Sequence, residues 1–208
     1  RQKAAVKAIG NKRSKEPINK LSNKCALKIS EFIKETESMT STEKDSSSKV
    51  CDTNSMSSTL ALGAGCYWGT EKYIKKDFQK KFPGSIKSAT VGFMSPDKNA
   101  PKNPSYRAVC SGSTGHVEVL FVELNQPEKH FEPLIRFFFA FHDPTTMNRQ
   151  GNDSGTQYAS YIFTSDEHQQ QIANKVKDEL QQLLVAKKVK CFSSKTVTTK
   201  IGPSNEFY

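Results

Sequence analysis

The stretch T-L-A-L-G-A-G-C-Y-W-G, residues 59–69, decides how this chain folds. Its first half is a short, continuously apolar run punctuated by glycine, the pattern of a buried strand. Beyond Cys66, the residues Tyr73, Ile74, Phe78 and Phe82 recur at helical spacing until Pro83-Gly84 ends the helix. Cys66 therefore stands where a strand hands over to a helix, and there unpaired N–H groups and the macrodipole favour an anion. A free thiol with a pKa of ~8.5 is only slightly ionised at neutral pH, and a helix N-terminus is one of the places that lowers it. Cys66 is thus the candidate nucleophile. The plainer alternative is a small buried hydrophobe, the usual fate of an intracellular cysteine. Tyr67 and Trp68 beside it offer an apolar wall for a methyl or thioether group, or else ordinary core aromatics.

Outward from this junction, the pattern predicts a second strand over 86–93 and a Pro/Asn/Lys-rich loop through Pro96, Pro101 and Pro104 to Tyr106. A third strand is expected over 116–124. Pro133 suits a first helical turn, and Leu134, Phe137, Phe138 and Phe141 give that helix an apolar face before His142-Asp143-Pro144 stops it. The long polar loop T-T-M-N-R-Q-G-N-D-S-G-T-Q, residues 145–157, is a site candidate on length alone. A strand over 158–163, a helix capped by Ser165, and β-like alternation over 190–201 complete the reading. Strands and helices mix without strict alternation, so the class is α+β, with helices packed on a mixed sheet.

The third predicted strand carries one residue out of place. Glu118 shares a face with Leu120, Val122 and Leu124, while Val117, Val119 and Phe121 fill the other. Burial raises a carboxyl pKa, and a carboxyl kept neutral near pH 7 can donate a proton; a lysine partner is the structural alternative. If Glu118 and Cys66 share a pocket, two negative charges ~4 Å apart at a dielectric near 20 repel by ~4 kcal/mol, and one proton is held between them. Tyr106, Asp153 and Tyr158 lie in or beside loops and are candidates to hydrogen-bond a polar oxygen. His116, His130, His142 and His168 show no metal spacing, so no metal site is expected.

Composition narrows the classes. No apolar run approaches the ~20 residues of a membrane-spanning helix, so no membrane partner is expected. The formal charge is +10, with 12 basic against 7 acidic residues up to position 57 and 19 against 14 after it. A solvated lysine-rich surface accounts for that surplus without a nucleic-acid partner. Residues 1–57 pair a lysine-rich block with a Ser/Thr/Asp stretch and read as a disordered leader, with one short amphipathic helix near Leu27, Ile29, Phe32 and Ile33. The folded domain then spans 58–208. Cys25, Cys51, Cys66, Cys110 and Cys191 form no C-x-x-C pair, and the expectation is a reducing, cytoplasmic setting, with import into mitochondria or another organelle as the alternative.

The motif G-C-Y-W-G is similar to the G-C-F-W-G signature of the A-class peptide methionine sulfoxide reductases. The later blocks Y-R-A-V-C-S-G-S-T-G-H-V-E-V, H-D-P-T-T and N-R-Q-G-N-D-S-G-T-Q-Y resemble that family's in the same order. The resemblance implies a two-layer α/β sandwich of the ferredoxin-like plait type. It implies that Cys66 attacks the sulfoxide sulfur and becomes a sulfenic acid while Glu118 protonates the departing oxygen. It places Tyr67 and Trp68 at the substrate methyl and Tyr106, Asp153 and Tyr158 on the oxygen side. The substrate is then the S epimer of methionine sulfoxide, free or in proteins. No cofactor is called for: thioredoxin or another thiol is the reductant, and the enzyme is expected to be a monomer. Departures are Tyr67 for the usual Phe, Ala159 for a common Arg, and a missing glycine-rich turn after Gly92-Phe93. Family members also continue past a motif like Phe207-Tyr208 into a tail with resolving cysteines; that tail reads as missing, and Cys191 is the substitute offered by this sequence. A different class, a thiol hydrolase, would pair Cys66 with a histidine base such as His116 or His142.

Overall fold

The computed structural model describes residues 55–208. The expected leader and its amphipathic helix lie outside these residues, except at the leader's edge. There Met56 is buried in the main core and the Ser57 N–H donates to Asp166 Oδ2 at 2.6 Å, so the folded unit begins at least two residues before 58.

Strand β1 (Thr59–Ala64) is followed by helix α1, a helical run over 67–81 whose middle, Tyr73–Phe78, winds as a π-helix. Strand β2 (Ile86–Met94), short helix α2 (Tyr106–Cys110), strand β3 (Val117–Leu124) and helix α3 (Pro127–Phe141) come next. A two-stranded hairpin, β4 (Arg149–Gln150) and β5 (Asp153–Ser154), leads through a 3-10 turn (Thr156–Tyr158) into strand β6 (Ser160–Thr164). Helix α4 (Glu167–Val185) and strand β7 (Lys200–Pro203) close the chain.

The five-stranded sheet has the order β2-β3-β1-β6-β7. β1 pairs antiparallel with β3 and β6, β2 antiparallel with β3, and β7 parallel with β6. The units β1-α1-β2 and β3-α3-β6 thus interleave as a split βαβ pair, the ferredoxin-like topology, with β7 added at the edge. The architecture is the expected α+β one, helices on a mixed sheet.

Strand alternation sorts the side chains by face. Leu60, Leu62, Leu120, Val122, Leu124 and Ile162 meet Ile74, Phe78, Phe131, Leu134, Phe138, Ala173, Val176 and Leu180 from the helices in one core. Ala61, Met94, Val119, Tyr161 and Phe163 form a smaller cluster on the opposite face. There Phe207 packs on Phe121 with ring centroids 5.1 Å apart, and Tyr208 exchanges both backbone hydrogen bonds with Phe93. Gly92 makes that close approach possible, because a Cβ there would stand 2.3 Å from the Tyr208 carbonyl oxygen.

Several local expectations shift. Helix α3 starts six residues before Pro133, with Pro127 in its first turn after Gln126 at φ 50°, so Pro133 lies inside the helix. Either proline satisfies the first-turn rule; burial of Phe131 against the sheet selects the earlier one. Helix α4 is capped by Asp166, not Ser165: the Asp166 carboxylate accepts from Gln169 N, and Gln169 Oε1 accepts from Ser165 N in turn. The strand expected over 158–163 begins at Ser160, and the alternation over 190–201 yields a strand only at 200–203. Ahead of β7, side chains hold the chain: Asp143 accepts from Ser193, and Gln181 bonds Val197 N and Lys195 O. Among the described residues no helix is long and apolar enough to cross a membrane.

Candidate active site

Cys66 occupies the N-cap of α1, partly exposed, with its carbonyl accepting from Gly69 N at 3.0 Å and Thr70 N at 3.3 Å. Glu118 rises from the start of β3 on the helix-covered face and is only 2% exposed. The two are neighbours: the N–H of Tyr67, the residue after Cys66, donates to Glu118 Oε2 at 3.1 Å. Among the described residues no lysine or arginine pairs with this carboxylate, whereas Glu123, further along β3, does pair with Lys87.

Burial pushes the Glu118 carboxyl up to about 7, the nearby Asp153 adds to this, and the Tyr67 N–H opposes it. A proton is therefore held there at near-neutral pH. This shift also has a signature in stability. The unfolded glutamate ionises near 4.5, so folding is penalised as pH rises from there through about 7, by roughly 3 kcal/mol once both states are ionised. Glu118→Gln is expected to leave stability unchanged at pH 4 and to raise it at pH 8 by up to that amount. Urea unfolding midpoints at the two pH values measure the difference, and equal shifts at both would contradict the assignment.

The expectation that the helix terminus lowers the Cys66 pKa is corrected. Burial pushes the thiol up, and the charges of Glu118 and Asp153 push it further; the N–H groups of Trp68 and Gly69 pull it down but are outweighed. A helix of this kind supplies only a few favourable N–H groups, and here its start is half-buried beside two carboxylates. Cys66 rests as the thiol, and the pair carries its protons together.

The remaining candidates surround this pair. Tyr67 packs edge-on to Trp68 at 5.3 Å and lies 5.9 Å from Phe93, which in turn is 6.3 Å from Tyr106. Trp68 is 54% and Tyr106 58% exposed, so the row of rings opens to solvent at both ends. Burial, aided by the charge of Glu118, pushes the Tyr67 phenol up to about 12. Tyr158 is raised by burial and by Glu118 and Asp153. Tyr106 is raised chiefly by donating a hydrogen bond to Cys110. Tyr67 and Tyr158 thus stay protonated within the influence of Glu118, while the Tyr106 hydroxyl is directed to Cys110. Phe93 escaped the sequence reading; its place follows from register, since it is the direct cross-strand partner of Glu118.

The histidines are occupied elsewhere. His142 is fully buried, bonded to Phe138 O and Ser160 Oγ, and held down to about 4 by that burial. His116 bonds Thr114 O. The charges acting on Cys66 are carboxylates, which removes the basis for a cysteine–histidine hydrolase. Cys191 packs against the main core in a disulfide, so it presents no thiol to Cys66.

The chain matches the family model of peptide methionine sulfoxide reductase over residues 58–208. It is 35% identical over 147 residues to a probable peptide methionine sulfoxide reductase of Schizosaccharomyces pombe, covering 71% of this chain and 79% of that one. It is 37% identical over 150 residues to the enzyme MsrA of Psychrobacter cryohalolentis, covering 72% of this chain and 76% of that one. Among solved structures, methionine sulfoxide reductase A of Corynebacterium diphtheriae aligns with a TM-score of 0.60 at 32% identity, over 75% of this chain and 71% of that one. Sequence, fold and the buried acid beside the cysteine agree, and the chain belongs to the peptide methionine sulfoxide reductase family of oxidoreductases.

Proposed function

We propose that this enzyme reduces the S epimer of methionine sulfoxide, free or in polypeptides, through a sulfenic acid on Cys66. The observation that carries the reading is the Tyr67 N–H bond to Glu118, which sets a protonated carboxyl beside the nucleophilic sulfur. Glu118 donates its proton to the sulfoxide oxygen, making the sulfur electrophilic. Cys66 Sγ bonds to that sulfur and its own proton returns to the carboxylate; the hydroxyl then moves to Sγ as the S–S bond and the substrate's S–O bond break. Thiol and sulfoxide thus become sulfenic acid and thioether, with atoms and electrons balanced.

The row Trp68, Tyr67 and Phe93 holds the methyl group, and Tyr106, Asp153 and Tyr158 fix the oxygen side. This polarity of the pocket is what selects one epimer. A thiol reductant such as thioredoxin returns Cys66 to the thiol, no other cofactor being required, and a cytoplasmic monomer is part of the same proposal.

A single-turnover experiment with the two separated epimers tests it. One methionine is expected per enzyme from the S sulfoxide, with Cys66 one oxygen heavier by mass spectrometry and the R sulfoxide untouched. Equal consumption of both epimers, or oxygen on another residue, sinks the reading.

A further inference from the structure

We infer that Gln150 is a positioning residue, whose side chain fixes the nucleophile's loop and the hairpin bearing Asp153 relative to one another. The inference rests on the function proposed above. Gln150 meets three parts of the molecule at once. Its amide spans the backbone of Asp143: Asp143 N donates to Gln150 Oε1, and Gln150 Nε2 donates to Asp143 O, each at 3.2 Å. Its own backbone pairs with Asp153 across the β4-β5 hairpin. Its stem lies on Gly65, the residue before Cys66, so closely that a Cβ at Gly65 would stand 2.5 Å from Gln150 Cβ. Gly65 has φ 82°, a backbone conformation open to glycine, and this bend turns the chain from β1 into α1.

The anchor at the far side is itself rigid. One Asp143 carboxylate oxygen accepts from Thr145 N and Oγ1, and the other from Ser193 N and Oγ. The hairpin turns at Gly151, at φ 60°, and is braced by Arg149 Nε donating to Gly151 O. With only two residues in each strand, this hairpin cannot hold its own place. Gln150 links that hairpin to Asp143, beside a second tie in which Thr146 Oγ1 donates to Arg149 O, and only the Gln150 side chain of the two also covers the glycine leading to the reacting sulfur. Misplacement of reacting groups by about 1 Å can cost 10²-fold in rate, so such a link is a catalytic determinant without touching substrate.

The test is a double-mutant cycle on the full chain, with methionine S-sulfoxide as substrate and dithiothreitol as reductant. Gln150→Met keeps a stem over Gly65 and deletes both amide bonds. It is expected to lower kcat roughly 10- to 100-fold, with a much smaller change in KM. Gln150→Glu keeps an acceptor for Asp143 N and recovers part of the loss. In an Asp153→Asn background, Gln150→Met is expected to cost less than threefold, because what it positions is already gone. Circular-dichroism melts identify the folded fraction, to which rates are normalised. A wild-type rate in Gln150→Met, or losses that multiply in the double variant, overturns the inference while the proposed function stands. A wild-type enzyme that leaves the sulfoxide intact takes down the proposed function instead.

Discussion

Cys66→Ser is expected to abolish methionine release, to below about one thousandth of the wild-type rate, the scale on which loss of an essential nucleophile acts. The reaction needs an atom that can attack sulfur and then keep oxygen. A serine hydroxyl is a far weaker nucleophile, and oxygen transfer to it would form a peroxide, whereas sulfur stops at the sulfenic acid. Of the other described cysteines, Cys191 is in a disulfide, and Cys110 is an exposed free thiol that accepts a hydrogen bond from Tyr106. The aromatic row is untouched by the substitution, so affinity for the sulfoxide is retained. Amino-acid analysis of released methionine, with binding followed separately, checks both halves. Residual turnover of a few per cent would require another nucleophile.

The second large effect is the loss of the acid. Glu118→Gln is expected to slow turnover by about 10²- to 10⁴-fold, the usual contribution of a positioned proton donor. KM should change little, because the amide fills the same space and its oxygen still accepts from Tyr67 N. The pH dependence follows from the same group. Glu118 must carry its proton to act, so wild-type kcat/KM is expected to fall as pH rises through about 7. In the glutamine variant that descending limb disappears. A variant that keeps both the wild-type rate and the descending limb would exclude Glu118 as the donor.

Much of this site could be read before any fold was known, and the reasons lie in local rules. The period of two along β3 put Glu118 on the face of Leu120 and Val122, so its burial was visible in the letters. The glycine-bounded junction at Cys66 marked a strand-to-helix turn just as plainly. What stayed hidden depends on contacts between distant segments. Phe93 belongs to the site only because β2 pairs with β3 in one register, and Gln150 only because its loop folds over Gly65. Helix α2, at five residues, is too short to show a period. The direction of the Cys66 shift does not follow from the letters, because the helix terminus is a local cue whereas burial beside Glu118 and Asp153 is a property of the assembled fold.

Trp68 is the sole tryptophan of the chain. Half of its indole faces water and its edge meets Tyr67 beside the nucleophile. Tryptophan fluorescence from this protein therefore originates at one place, two residues from Cys66. A ligand seated there displaces water from the chromophore, so occupancy, oxidation and release can be followed as separate changes in emission without attaching a dye.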